Sequence, residues 1–401
     1  MKTIIFGAQG YALGTYEAMK TLYPEREILF FMVSSLEGNP ALLAEIPVKE
    51  LADVSTSFSD EEKKEIEVII ATPENVQQEI EEILDKYGFS NHSRLTGKRW
   101  GELMDSFHAK SGDFTPLATY KAANAENDNE IQENAAAEQS FDKDNLGLNI
   151  FYARSHKDKE LKTKIIRPDY MHPIQVGAAN TDERIADITD DNGDNISAKN
   201  GNYCEITGLY WIWKNILCGE ACENRGVKEC NHMDDGNDVQ GQVASGAEYL
   251  GLAQYRRSFE LTEDDLRRLF CNDIDVLLPF PLMYEPDINK HHERYLKDAD
   301  WKALLTVLKE LRPEYAEYFP KVLGQQYMYN YNVILARKQV LKDYCEWLFP
   351  VLARVEELSV PKGSERSDRY IGYMVETLET LYFMKNRDKL KTAHKECRMY
   401  V

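Results

Sequence analysis

The sequence predicts an α/β protein built in two units, each organised around a largely parallel sheet. Two observations carry this expectation. Short apolar runs alternate with stretches of helical periodicity from the first residues onward, and such alternation gives parallel strands joined by right-handed crossovers. The chain has 401 residues, more than one ordinary core organises, and its character changes sharply once, in a polar stretch after the first unit.

The first unit is expected over 1–108 as a small Rossmann-like domain. Lys2-Thr3-Ile4-Ile5-Phe6 is a short apolar run ending at Gly7, as a buried parallel strand would be. Helix is expected over 15–22, strands over 28–33 and 68–71, and a further helix over 76–87. The glycines Gly7-x-x-Gly10-x-x-x-Gly14 invite comparison with the dinucleotide fingerprint. That fingerprint is G-x-G-x-x-G, with a carboxylate about 20 positions on to hold the ribose. Here the second strand ends Val33-Ser34-Ser35, without the acid. NAD is therefore not expected, and a scaffold or weak ligand site fits better, although a helix N-terminus could still face an anion.

Residues 109–146 are acidic, polar and alanine-rich, with little to bury, so a solvated linker is expected, or else a peripheral helix over 130–139. A second unit over 147–401 then resumes the alternation. Strands are expected at 148–153, 249–253 and 275–278, and a helix at 204–217. Helix, strand and helix follow at 300–311, 332–335 and 340–358.

Composition narrows the class. Hydrophobic residues at 43% suffice for packed cores, while a net charge of -20 excludes a general nucleic-acid binder, which needs a basic footprint. No signal-like segment opens the chain and no apolar run approaches the roughly 20 residues that span a bilayer. Seven cysteines, an odd number, fit a reducing cytoplasm better than a disulfide framework. Cys218, Cys222, Cys230 and His232 could form a zinc clip, but their spacing is unusual and an ordinary loop insertion is preferred.

Within the second unit a succession of motifs runs in order: FYARSHK, HPIQVGAA, DNISAKNGNYCEITGLYWIWKN, EYLGLAQYRRSF, DIDVLLP, KHHERYLKDADW, YNVILARK and YCEWLFPVL. Over roughly 148–360 this resembles the capsular and exopolysaccharide glycosyltransferase family long catalogued only as a domain of unknown function. The resemblance implies a GT-A-like fold, a nucleotide-sugar donor (a UDP-sugar foremost) and a growing saccharide acceptor, which in such systems is usually lipid-linked. Some relatives are associated with galactosyl or galactofuranosyl transfer. One departure is Gln254, where the family commonly has His before Tyr-Arg-Arg.

The same residues can be weighed by their chemistry. A transferase must neutralise a leaving diphosphate, which paired guanidinium groups or a divalent cation can do. Arg256 and Arg257 follow an expected buried strand and are the candidate diphosphate groups, with ion pairing to neighbouring acids as the alternative. Asp273 and Asp275 have the D-x-D spacing that lets two carboxylates address one Mn²⁺ or Mg²⁺, although only Asp275 is typical of the resembling family. Asp190, Asp191 and Asp194 could hold a metal or be turn residues. Asp300 is the candidate general base, with an N-cap as its structural alternative. His291, His292 and Glu205 are candidate acceptor contacts. Candidate donor contacts are Ala153, Arg154 and His156, then Gln175, Gly177, Asn200, Lys214 and Tyr255.

The segment 385–401 is basic, with Lys385, Arg387, Lys389, Lys391, Lys395 and Arg398 against Asp388 and Glu396. It could dock a cytoplasmic enzyme on the inner membrane face, or pair with the protein's own acids. A non-catalytic nucleotide- or sugar-binding subunit assisting a partner transferase is the rival function. It would need the arginines and no available carboxylate.

Overall fold

The computed structural model describes residues 1–122, 147–162, 164–218 and 246–400. Most of the expected linker, together with Cys222, Cys230 and His232, lies outside the described residues.

The first unit is a doubly wound sheet. Its strands are β1 (Lys2–Phe6), β2 (Glu27–Val33), β3 (Leu42–Leu43), β4 (Ile46–Glu50), β5 (Glu67–Ile70) and β6 (His92–Arg94), in the order β3-β4-β2-β1-β5-β6. All neighbours are parallel except β3 and β4. Successive side chains of a strand face opposite ways, and β1 shows the result. Ile5 enters a core with Ala12, Met19 and Trp100, from the helices Gly10–Leu22 and Gly97–Ser111. Ile4 and Phe6 enter another, with Leu51, Ile80 and Leu84 on the opposite face. Burial on both faces explains why β1 and the end of β2 read as continuous apolar runs. The first helix starts at Gly10 rather than at 15.

Residues 109–122 are not linker. The helix Gly97–Ser111 passes through the expected boundary, and Leu117 is buried in a core of the second unit. The Thr115 carbonyl also accepts from the His394 backbone N–H at 2.9 Å.

The second unit's strands are β7 (Leu148–Arg154), β8 (Met171–Gln175), β9 (Ile188–Thr189), β10 (Tyr249–Gln254), β11 (Arg257–Ser258), β12 (Val276–Pro279), β13 (Leu282–Met283), β14 (Tyr327–Met328), β15 (Ile334–Arg337), β16 (Thr392–Lys395) and β17 (Arg398–Met399). The main sheet runs β16-β12-β15-β10-β7-β8-β9. β10, β7, β8 and β9 are parallel, and β15 is antiparallel to both β10 and β12. Gly251 sits where a Cβ would meet the Ile334 carbonyl at 2.6 Å, so only glycine lets β15 approach. The single helix expected over 204–217 is broken instead. Cys204 has φ 54°, Ile206–Trp211 is α-helical, and Ile212–Leu217 is a π-turn.

The basic C-terminal segment is not a free arm. β16 lies parallel to β12, and β17 pairs with β11. Lys395 bonds Asp265 at 3.0 Å and Arg398 bonds Glu260 at 2.6 Å, so these two cations answer the protein's own acids. A chain ending at Phe383 is expected to lose cooperative urea unfolding, because β12 loses its parallel partner; an unchanged midpoint by circular dichroism would contradict the pairing.

Candidate active site

Ligand crevices in open α/β sheets lie outside the carboxyl ends of parallel strands. Here two sheets present those ends to one cavity of about 1160 Å³. From the first unit come Ala8 to Tyr11, after β1, and Ala71 to Pro73, after β5. From the second come Ala153 and Ser155 at the end of β7, Val176 after β8, and Gln254 to Arg257 where β10 ends. The helix Tyr370–Lys385 closes the far side with Gly372, Tyr373 and Glu376.

Backbone strain concentrates here. Among the described residues seven non-glycine positions have positive φ, and four of them, Cys204, Tyr331, Asn332 and Arg369, line the cavity. Each such residue costs on the order of 1–3 kcal/mol, and clustering of that kind marks functional sites. The turn at Tyr331 (φ 77°) and Asn332 (φ 52°) shows what the strain achieves. The Tyr331 N–H donates to Glu376 Oε1 at 2.9 Å, and Asn330 Nδ2 donates to Glu376 Oε2 at 3.2 Å. Asn332 Nδ2 donates to Glu205 Oε1 at 2.9 Å. Gln254 Nε2 bonds both Glu205 Oε1 and the Tyr331 carbonyl, each at 2.9 Å. Two carboxylates are thereby set beside one another by three carboxamides and one backbone N–H.

Opposite charges surround them. Arg256, Arg257, Arg294 and Arg369 all line the cavity, and among the described residues none of the four is in an ion pair. Arg257 stacks on the Tyr331 ring at 4.0 Å, and Arg294 Nη1 donates to Gln9 Oε1 at 2.7 Å. Burial raises Glu376 to about 7; the Tyr331 N–H opposes the shift and the Glu205 charge adds to it. Burial lowers His291 to about 4, so its ring is neutral at pH 7 and packs on Tyr284 with centroids 3.6 Å apart.

Of the residues singled out in the sequence, Ala153, Asn200, Glu205, Tyr255, Arg256, Arg257 and His291 line this cavity. Others do not. Asp300 is 1% exposed and makes two 2.7 Å bonds to Arg366, so it neither faces an acceptor nor caps a helix; the N-cap of its helix is Lys297. Asp273 and Asp275 lie at the opposite end of the sheet, where β12 begins. Asp273 bonds Arg337 at 3.1 Å and Asp275 accepts from the Lys391 N–H at 2.8 Å. His292 stacks flat on Trp301 at 3.8 Å. Lys214 sits over Trp213 at 3.9 Å.

Gln175 is buried and ties down the loop 183–185, donating to the Glu183 carbonyl at 2.7 Å and accepting from the Ile185 N–H at 2.9 Å. Gly177 has φ 67°, and a Cβ there would stand 2.8 Å from Asn200, so it permits the close approach of Asn200 rather than touching a ligand. Arg154 and His156 flank the wall residue Ser155 without lining the cavity. Asp190 is buried, accepting the Gly177 and Ala178 N–H groups, while Asp191 pairs with Arg184 at 2.8 Å. Asp194 accepts from the Tyr210 hydroxyl at 3.0 Å. These are turn and loop anchors. Among the described residues no three His, Cys, Asp or Glu side chains are grouped to hold one metal ion.

Sequence reasoning missed Glu376, Arg294, Arg369 and the Tyr331 turn as site residues. For Glu376 a signal existed: it and Glu379 are the two acids in the mostly apolar stretch IGYMVETLETLYF, where burying an acid is costly unless it is partnered or used.

The architecture defines an α/β protein in which one cavity is shared by two parallel-strand edges and lined by four arginines that make no salt bridge among the described residues. Residues 150–387, more than half of the chain, match the family model described as "Domain of unknown function (DUF4422)", and the chain belongs to that family. No curated protein sequence matches it. The solved apo structure of WbbM, a bifunctional glycosyltransferase, is similar at 23% identity and a TM-score of 0.48, over 63% of this chain and 45% of that one. This chain therefore spans less than half the length of that protein.

Removing one member of a buried ion pair typically costs about 3–5 kcal/mol. Asp300→Asn should lower the urea midpoint accordingly while leaving the stabilisation by cavity ligands unchanged. If that variant is as stable as the parent but loses ligand response, the structural assignment of Asp300 is wrong.

Proposed function

We propose that the chain is a glycosyltransferase that moves a sugar from a nucleotide-sugar donor to a saccharide acceptor within the shared cavity. One observation carries this reading. The chain has 68 acidic residues against 48 Lys and Arg, so an arginine has no shortage of carboxylate partners, yet among the described residues four arginines line one cavity without a salt bridge. Such a cluster fits an anionic ligand, and the guanidinium fork matches phosphate oxygens two at a time. A GT-A-like chain would place the donor diphosphate at Arg256 and Arg257, outside the carboxyl end of β10. Asn200, Tyr255 and Ala153 border the same end and would hold the nucleoside or sugar.

The carboxylates Glu205 and Glu376 favour an enzyme over a binding subunit, because a binder of anions gains nothing from acids in its pocket. The family resemblance favours galactose or galactofuranose as the sugar and a capsular or exopolysaccharide chain, lipid-linked during growth, as the acceptor. Charge neutralisation is assigned here to this chain's own arginines, since the described residues group no metal ligands; a Mn²⁺ or Mg²⁺ entering with the donor would add to it.

A thermal-shift series over UDP-galactose, UDP-galactofuranose and UDP-glucose, with and without Mn²⁺, tests the donor. A ligand at 100 times its Kd adds about 2.7 kcal/mol to native stability. No shift with any nucleotide sugar would count against the donor site. Arg256→Ala should reduce turnover by about 10²–10³, the usual loss for one group stabilising developing charge, and near-normal turnover would remove Arg256 from the diphosphate site.

A further inference from the structure

Direct displacement by an acceptor hydroxyl needs a group that receives its proton, and with Asp300 locked to Arg366 the sequence's candidate for that role is occupied. Resting on the transferase reading above, we propose that Glu376 is the catalytic residue that accepts this proton, with Asn330 and Tyr331 positioning it.

Geometry supplies the case. Glu376 lies on the helix Tyr370–Lys385 and lines the cavity, whereas Glu379, one turn on, is 1% exposed and does not line it. Each Glu376 oxygen accepts a single hydrogen bond, from Tyr331 N–H and from Asn330 Nδ2, so each keeps a lone pair free to accept another. Among the described residues Glu376 has no salt-bridge partner, which separates it from Asp300, Asp273 and Asp191. Its two donors come from Asn330 and Tyr331, and Tyr331 has a left-handed backbone. A purely structural carboxylate on an apolar helix would not need a strained turn to hold it in a cavity.

Asn332, next in the chain, is 5% exposed, and its Oδ1 has no hydrogen-bond partner while its Nδ2 holds Glu205. That oxygen is closed to solvent, so among the described residues the side chain serves to hold Glu205.

The charged and titratable groups facing Glu376 set its proton affinity. They are Glu205 and Cys204 from the bend before Ile206–Trp211, Arg257 from β11, Tyr284 after β13, Tyr331 before β15, and Glu379 and Tyr373 on its own helix. Burial raises Glu376 to about 7, near the value at which a general base works best in neutral solution.

In the step itself, the acceptor oxygen bonds to the donor's anomeric carbon as the bond from that carbon to the diphosphate oxygen breaks. The leaving nucleoside diphosphate takes the bonding pair, with Arg256 and Arg257 beside it, and the hydroxyl proton passes to a Glu376 oxygen. Charge and atoms balance without an added redox partner.

The test uses the full chain, the nucleotide sugar that gives transfer, and three variants. Glu376→Gln should keep donor-induced stabilisation and lower kcat by about 10²–10⁴, the usual worth of a general base. Glu376→Asp, which keeps the carboxylate on a shorter arm, should recover part of that loss. In the parent protein kcat/KM should fall tenfold per pH unit below about 7, as Glu376 takes up a proton, and Glu376→Gln should lack this acid limb. If Glu376→Gln turns over normally, or keeps the limb while Glu205→Gln loses it, Glu376 is not the base although the transferase reading stands. If the parent neither binds nor uses a nucleotide sugar, the transferase reading fails and this assignment fails with it. A Glu376→Gln protein that no longer responds to donor would show a binding role and overturn the proposal as well.

Discussion

The structure depends on a small apolar wedge. Phe280, Leu282 and Met283, at and after the end of β12, are buried not in their own unit's core but among Ala12, Met19, Trp100, Met104 and Phe107 of the first. Fully burying a side chain of this size is worth roughly 1.5–3 kcal/mol, so three of them fix one unit against the other. Gly10 makes the fit possible, since a Cβ there would come 3.1 Å from the Met283 carbonyl and 3.3 Å from Leu282. Because the wedge enters beside the helix Gly10–Leu22, the ends of β1 and β5 are turned toward the ends of β7 and β10. The shared cavity follows from that contact. The N-terminal unit is therefore a wall of the site, and the glycines that suggested a dinucleotide have packing duties: Gly7, at φ 131°, would otherwise press a Cβ to 2.7 Å from the Ala71 carbonyl.

From the wedge the constraint passes to the carboxylates. Tyr11 and Tyr331 pack against the core that holds the wedge, and Tyr331 carries Arg257 on its ring and Glu376 on its N–H. Gln254 holds the same residue by its carbonyl. Three contacts from three separate elements thus bear on one residue in a left-handed conformation. Strain of roughly 1–3 kcal/mol persists only where surroundings over-determine it, and here they do. Gln254 stands where the resembling family commonly has His, and a carboxamide can reach two acceptors at once from a single nitrogen.

Much of this was legible in the sequence because strands buried on both faces announce themselves. β1, β7, β10 and β15 all fall within two residues of where apolar runs placed them, and Arg256 and Arg257 were found from their position after β10. What escaped depends on contacts distant in sequence. Asp300 looks like an exposed cap or base until Arg366, 66 residues away, is seen to neutralise it. Asp273 and Asp275 have metal-like spacing, but the strand they precede runs so that its beginning, not its end, carries them away from the cavity. A positive φ at Tyr331 leaves no compositional trace, and Asn332 offers only the weak one that asparagine tolerates the left-handed region. The C-terminal cations resemble a free basic arm because short edge strands carry little periodicity.

The arginine cluster also resolves an apparent conflict between the chain's charge and the anionic substrate proposed for it. A net charge of -20 should repel a nucleoside diphosphate, yet at physiological salt the field of exposed acids fades over about 8 Å. Within the cavity, local groups dominate, and low-dielectric walls enlarge their effect. Arg256 and Arg257 are half-buried at the end of β10, with Tyr255 beside the first and Tyr331 beneath the second. Rings of this kind stack with guanidinium groups while taking up none of their charge. Of the acids that share the cavity, Glu205 and Glu376 are held by carboxamides and a backbone N–H, and Asp158 by the Ser155 N–H, rather than by salt bridges to the arginines. Keeping the two charge types apart in one cavity leaves cations for phosphate and carboxylates for hydroxyls, the division of labour that the proposed sugar transfer requires.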